Sequence, residues 1–197
     1  MVGLARLDSL QACTTDVLKE GVPGDFVETG VWRGGSSIFM RGVLAAYGDV
    51  SRRVWVADSF CGLPSPNAAL YPTDAGIDLS GTSALSIGLP TVKHNFEKYG
   101  LLDSQVEFLV GWFKDTLPSA PIEQLSVIRL DGDLYESTMD ALTALYPKLS
   151  IGGYLIVDDF GCMDTCRRAV TDYRAAHDIT EKIESIDWTG VFWRRLE

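Results

Sequence analysis

The chain has 197 residues, 46% of them hydrophobic, and a formal net charge of −10, which fits one domain with a substantial core. With 17 Lys and Arg against 27 Asp and Glu, no basic stretch is dense enough to track phosphates, so nucleic acid is not an expected partner. No apolar run approaches the ~20 residues of a membrane span, residues 1–6 lack a signal-peptide core, and Cys13, Cys61, Cys162 and Cys166 make neither a disulfide framework nor a zinc set; a cytoplasmic protein with inert thiols is expected.

Leu4, Leu7, Leu10, Val17 and Leu18 follow helical spacing until Gly21 and Pro23 end the pattern. This stripe is read as core or as a subunit contact. Asp25 to Gly30 reads as a short strand, and Gly34-Gly35-Ser36-Ser37 opens a helix through about Tyr47. Ser36 and Ser37 suit either a helix cap or a ligand contact. Val54 to Asp58 is a second strand that ends in acid. The stretch 59–90 holds Pro64, Pro66, Pro72 and Pro90 among Gly and Ser, an irregular insertion of the functional or disordered kind, expected near the substrate. Helical spacing returns from Val92 to Tyr99, and Val106 to Val110 is a strand. Two further strands, Leu125 to Leu130 and Tyr154 to Val157, flank a helix from about Glu136 to Tyr146. A helix from Cys162 to Ala176 follows, and Ile183 to Ile186 and Val191 to Arg194 flank Asp187-Trp188-Thr189-Gly190 as a hairpin. Strand and helix alternate five times before that hairpin. The pattern predicts an α/β fold with a doubly wound, mostly parallel sheet, helices on both faces and an antiparallel final strand.

The chemistry concentrates in two segments, Arg129-Leu130-Asp131-Gly132-Asp133-Leu134-Tyr135 and Ile156-Val157-Asp158-Asp159-Phe160. Each is an apolar run that stops abruptly in acid, as a buried parallel strand does at the carboxyl edge of an α/β sheet, where such folds build their sites. Four carboxylates delivered there repel one another unless a cation holds them, and oxygen-only ligands suit a hard ion such as Mg²⁺. The plain alternative is that Asp158 or Asp159 caps the next helix and Asp131-Gly132-Asp133 is a turn. Two such strand ends together favour the metal.

A second site is read at Glu28-Thr29-Gly30-Val31-Trp32-Arg33-Gly34-Gly35, the first strand-to-helix turn. Glycine there lets backbone approach a ligand, and the helix start supplies oriented N–H groups. The spacing is not G-x-G-x-x-G, so the dinucleotide fingerprint is absent and a nicotinamide oxidoreductase is set aside. Asp58 lies where related folds put an acid on ribose hydroxyls, with an Asx turn as its alternative. Glu28 and Asp58 together make an acidic pocket that repels pyrophosphate and suits the cationic sulfonium of S-adenosylmethionine. Trp112 can stack on an adenine or serve as core. His94 and His177 are expected to pack or cap, and Arg167-Arg168 to form a solvated helix face.

These segments resemble the macrocin O-methyltransferase family, which includes mycinamicin and novobiocin sugar methyltransferases. The likeness is carried by residues 24–35, Ala57-Asp58-Ser59-Phe60, Gly111-Trp112-Phe113, Leu130 to Ser137, Val157-Asp158-Asp159, Cys166-Arg167 and Ile186 to Val191. It implies a Rossmann-like class I methyltransferase with a seven-stranded sheet that uses S-adenosylmethionine and Mg²⁺ to methylate a hydroxyl of a small secondary metabolite. By matching motif, Asp131, Asp158 and Asp159 are the implied metal ligands and Asp133 the implied general base. The cofactor pocket is expected to draw on Glu28, Thr29, Gly30, Val31, Ser36, Asp58, Ser59, Gly111, Trp112 and Asp131. Cys61 stands where the family usually has an acid, and members usually carry a longer segment ahead of the equivalent of Met1. A homo-oligomer is expected; the competing expectation is a non-catalytic cofactor-binding homologue, or one that needs a partner chain.

Overall fold

In the computed structural model, which describes residues 2–197, seven strands form one sheet in the order β3-β2-β1-β4-β5-β7-β6. The strands are β1 (Asp25–Thr29), β2 (Val54–Asp58), β3 (Val106–Val110), β4 (Leu125–Leu130), β5 (Leu149–Val157), β6 (Glu184–Ser185) and β7 (Val191–Arg194). β1 to β5 run parallel, while β7 is antiparallel to both β5 and β6. The central strands are mostly apolar because both faces are covered, and every residue of β4 is buried, Ser126 and Arg129 included.

Side chains alternate across each strand, and the two faces make two cores. Phe26, Val54, Val56, Val127 and Ile156 pack under α1 (Leu4–Lys19), α2 (Gly35–Ala46) and α3 (Leu89–Lys98). On the other face, Val27, Trp55, Ile128, Leu155 and Val157 pack under α5 (Tyr135–Leu145) and α6 (Asp164–Ala176), beside the one-turn α4 (Phe113–Thr116). Strand order reverses between β1 and β4, which opens a crevice at their carboxyl ends.

Several boundaries differ from the sequence reading. α3 begins at Leu89 and takes Pro90 into its first turn, where a missing N–H costs nothing. β5 begins at Leu149, five residues early; Gly152 at φ 85° carries the chain past the point where an ordinary side chain would end the strand. α4 was not anticipated, α6 begins at Asp164 rather than Cys162, and β6 is only two residues long. All four cysteines are free; Cys13 and Cys166 are buried, whereas Cys61 and Cys162 are exposed. Among the described residues, no helix is long and apolar enough to cross a membrane.

Candidate active site

The acids at the ends of β4 and β5 converge. Asp131, Asp158 and Asp159 each offer a carboxylate oxygen within 4.8 Å of the others. A counter-charge not foreseen from sequence lies among them, the buried guanidinium of Arg129. Sheet register sets Arg129 opposite Glu28 on the neighbouring strand, a cross-strand ion pair. Arg129 Nη1 donates to Glu28 Oε1 at 2.7 Å and to Asp131 Oδ2 at 2.9 Å. Its Nη2 lies 2.5 Å from Asp158 Oδ1, close enough for charge pairing although not aligned as a hydrogen bond. Arg6 of α1 pairs with the other oxygen of Asp158 and holds Asp187 at 2.9 Å.

Burial alone weakens the charge on Arg129, but Asp131, Glu28 and Asp158 more than offset this and raise its pKa. Burial likewise pushes Glu28 up to about 7, against the pull of Arg129 and a hydrogen bond from Ser37. Asp133 and Asp159 have no cation among their perturbing neighbours. Burial, then the charges of Asp131 and Asp158, pushes Asp133 up to about 6; burial and three neighbouring acids push Asp159 up to about 9. Five carboxylates (Glu28, Asp131, Asp133, Asp158, Asp159) thus face two guanidiniums (Arg129, Arg6), which leaves excess negative charge when all are ionised. This donor set fits a hard divalent cation. The oxygens of Asp158 keep a second lone pair each beyond their arginine contacts, and among the described residues Asp159 has no ion-pair partner.

Asp133 reaches this group through a turn and not through an extended chain two residues past Asp131. Its φ is 55°, a left-handed conformation that Asp tolerates better than most residues. The turn is fixed by backbone: Asp133 N donates to Asp159 Oδ2 at 3.2 Å, and its carbonyl accepts from Thr165 Oγ1 at 2.6 Å. Asp133 is left to line an open cavity of about 150 Å³.

That cavity lies over the β1/β4 crevice. Of the expected cofactor residues, Gly30, Asp58, Ser59, Gly111, Trp112 and Asp131 line it, whereas Glu28, Thr29, Val31 and Ser36 stand behind its wall. The negative charge expected of Glu28 is therefore turned inward and paired with Arg129. Ser36 is buried and Ser37 donates to Glu28, so neither serine caps α2, whose N-cap is Gly34. Asp58 Oδ1 accepts from Phe60 N at 2.7 Å and Oδ2 from Val31 N at 2.8 Å. The Asx turn and the tie to the first loop coexist. Gly30, at φ 78°, admits no side chain: a Cβ there would lie 1.7 Å from the carbonyl oxygen of Asp131. Gly30→Ala is expected to cost roughly 2–4 kcal/mol through strain and displacement of Asp131, read as a lowered thermal midpoint together with weakened cofactor binding.

Two features were not singled out from the sequence, and a third, the 59–90 insertion, was singled out without its shape. Lys114, Glu136 and Asp140 form one end of the cavity, with Lys114 Nζ 3.7 Å from Glu136; burial and Glu136 push Asp140 up to about 6. The stretch 59–90 is folded over the cavity, with 3₁₀ turns at Pro72–Asp74 and Ser83–Leu85; Gly62, Leu63, Pro64 and Leu85 line its mouth. Arg129 is the other feature not singled out, visible only once register is known. The histidines lie elsewhere: His94 beside Glu97 on an exposed face, His177 stacked on Tyr173 with centroids 4.0 Å apart. Arg167 and Arg168 pair along α6 with Asp164 and Asp172.

The parallel sheet with its antiparallel β7, the crevice at the β1/β4 reversal and the acids beside it define a Rossmann-like methyltransferase. The model of the macrocin-O-methyltransferase (TylF) family matches residues 1–195, and the chain belongs to that family. It is 61% identical over 195 residues to the 8-demethyl-8-(2,3-dimethoxy-α-L-rhamnosyl)-tetracenomycin-C 4'-O-methyltransferase of Streptomyces olivaceus, a match covering 98% of this chain and 74% of that protein. It is 53% identical to the mycinamicin III 3''-O-methyltransferase of Micromonospora griseorubida, covering 99% and 78%. Identity to the demethyldecarbamoylnovobiocin O-methyltransferase of Streptomyces niveus is also 53%, covering 99% and 75%. The solved O-methyltransferase NovP superposes with a TM-score of 0.98 at 52% identity, over 100% of this chain and 81% of that one. The calicheamicin methyltransferase CalS11 shares the fold, with a TM-score of 0.77 at 19% identity over 95% and 77%. The chain is accordingly an O-methyltransferase.

Proposed function

We propose that this chain transfers a methyl group from S-adenosylmethionine to a sugar hydroxyl of a glycosylated natural product. In this reading Asp131, Asp158 and Asp159 hold Mg²⁺ and Asp133 is the general base. The observation that carries it is the convergence of three carboxylate oxygens within 4.8 Å beside a cavity whose wall includes Asp133. A cofactor-binding chain without turnover would have no use for that acid-rich edge.

Gly30, Asp58, Ser59, Gly111, Trp112 and Asp131 hold the cofactor. Asp58 is seated for the ribose hydroxyls by its bonds from the backbone of Val31 and Phe60. Glu28, Thr29, Val31 and Ser36 shape that wall from behind. When bound, the metal supplies Lewis acidity, which lowers the pKa of a chelated hydroxyl and fixes its direction. Asp133 takes the hydroxyl proton, and the chain's remaining contribution is to hold the two substrates in line and away from water. The acceptor named for the 61%-identical relative, a rhamnosyl tetracenomycin glycoside, is the first to test.

Chelation is expected to abolish turnover of that glycoside and added Mg²⁺ to restore it, while calorimetry still records cofactor binding without metal. Methyl transfer that persists in excess chelator would remove the metal from this reading and leave Asp133 to act alone.

A further inference from the structure

The stretch 61–91 contains one buried residue, and it is a carboxylate. Asp74 is fully buried, whereas every other residue from 61 to 91 is exposed or half-exposed. An apolar anchor would be the ordinary way to seat such a loop, so the burial of an acid points to a specific partner. That partner is the amino terminus of α5. Asp74 Oδ1 accepts from Tyr135 N at 2.7 Å and Oδ2 from Glu136 N at 3.0 Å. The residue at the N-cap of α5 is Leu134, which has no side-chain acceptor to offer. The helix therefore takes its cap, and a charge suited to its dipole, from a loop 61 residues away in sequence.

What this cap sits beside gives it a function. Asp133 lies two residues before Tyr135, in the left-handed turn that points its side chain to the cavity. Leu134, between them, is fully buried. The same loop is tied to the cofactor side of the cavity, where Trp32 Nε1 donates to the carbonyl of Ala84 at 2.8 Å. Tyr71, close to Asp74, packs on Tyr135 with ring centroids 6.0 Å apart.

We propose that Asp74 is a positioning residue that fixes Asp133 through the start of α5, so that the general base is in place only while the 59–90 loop is docked. This inference rests on Asp133 being the base. A docked loop then does two things together: it closes the cavity mouth with Leu63, Pro64 and Leu85, and it sets the base. An undocked loop frees the Asp74 carboxylate and the α5 amides to water, which makes the latch reversible.

The test pairs kinetics with amide hydrogen exchange on the full chain. Asp74→Ala is expected to speed exchange in residues 134–138 as well as in the loop. It should lower kcat about 10- to 100-fold at saturating S-adenosylmethionine and rhamnosyl tetracenomycin glycoside, as a base misplaced by about 1 Å would. Asp74→Asn, which keeps one acceptor oxygen, should fall between; it carries the test if the alanine variant does not fold. A raised KM with unchanged kcat would mean that the loop serves binding alone and would overturn the proposal. So would exchange that rises evenly through the chain, the mark of a merely structural acid. Normal kcat in Asp74→Ala beside a slow Asp133→Asn overturns the latch and spares the base; a fully active Asp133→Asn overturns both.

Discussion

Asp133→Asn is expected to slow methyl transfer by roughly 10²–10⁴, with Mg²⁺ and cofactor affinities close to those of the parent protein. The substitution is unusually clean because the turn at residue 133 is held by backbone. The N–H bonds to Asp159 and the carbonyl accepts from Thr165, and neither bond involves the carboxylate. Asn also enters the left-handed region as readily as Asp, so the φ of 55° is no obstacle. What changes is that the side chain can no longer accept a proton. Single-turnover rates and a calorimetric Mg²⁺ titration on the same variant separate the outcomes. A lost rate with intact metal binding makes Asp133 the base; joint loss of both makes it a ligand and leaves the proton without an acceptor.

The parts of this site legible in the sequence were local. Apolar runs that end in Asp58, Asp131 and Asp158-Asp159 mark parallel strands reaching the carboxyl edge, because a strand covered on both faces admits acid only where it emerges. The glycine turn after β1 was legible for a similar reason: few other residues suit φ 78° against a neighbouring carbonyl. What stayed hidden depends on pairings between distant segments. Arg129 and Glu28 are 101 residues apart, and only the β1–β4 register sets them face to face. Arg6 reaches Asp158 across 152 positions. Without those contacts, the clustered acids were read without the two guanidiniums that the protein itself sets beside them. Asp74 was hidden in the same way, since a lone acid in a Gly- and Pro-rich stretch carries no local sign of the helix it will cap. A turn at Asp131-Gly132-Asp133 was legible only as the plain alternative, because the segment suits an extended chain as well, and its left-handed form at Asp133 has no local sign.

The largest stability effect is expected at Arg129. Arg129→Met keeps most of the side-chain volume and removes the cation that contacts Glu28, Asp131 and Asp158. Breaking a buried ion pair from one side typically costs about 3–5 kcal/mol, because the partner charge is left stranded. In a chain of this size that corresponds to a fall in thermal midpoint on the order of 10 °C. Glu28 is the group most exposed to the loss: it is buried, already pushed up to about 7, and its other partner is the neutral hydroxyl of Ser37. Adding Glu28→Gln to Arg129→Met should therefore recover part of the lost stability, because the stranded charge is gone. The same double variant should not recover metal binding. Asp131 and Asp158 still lack the guanidinium that orients them, and groups that orient metal ligands typically contribute about 10- to 100-fold in affinity. Thermal unfolding and Mg²⁺ calorimetry across the four-member cycle decide the matter. A drop in stability below about 1 kcal/mol in Arg129→Met would mean that the acids are held by something other than this arginine. Full metal affinity in the double variant would confine Arg129 to folding and leave Arg6 as the guanidinium that seats Asp158.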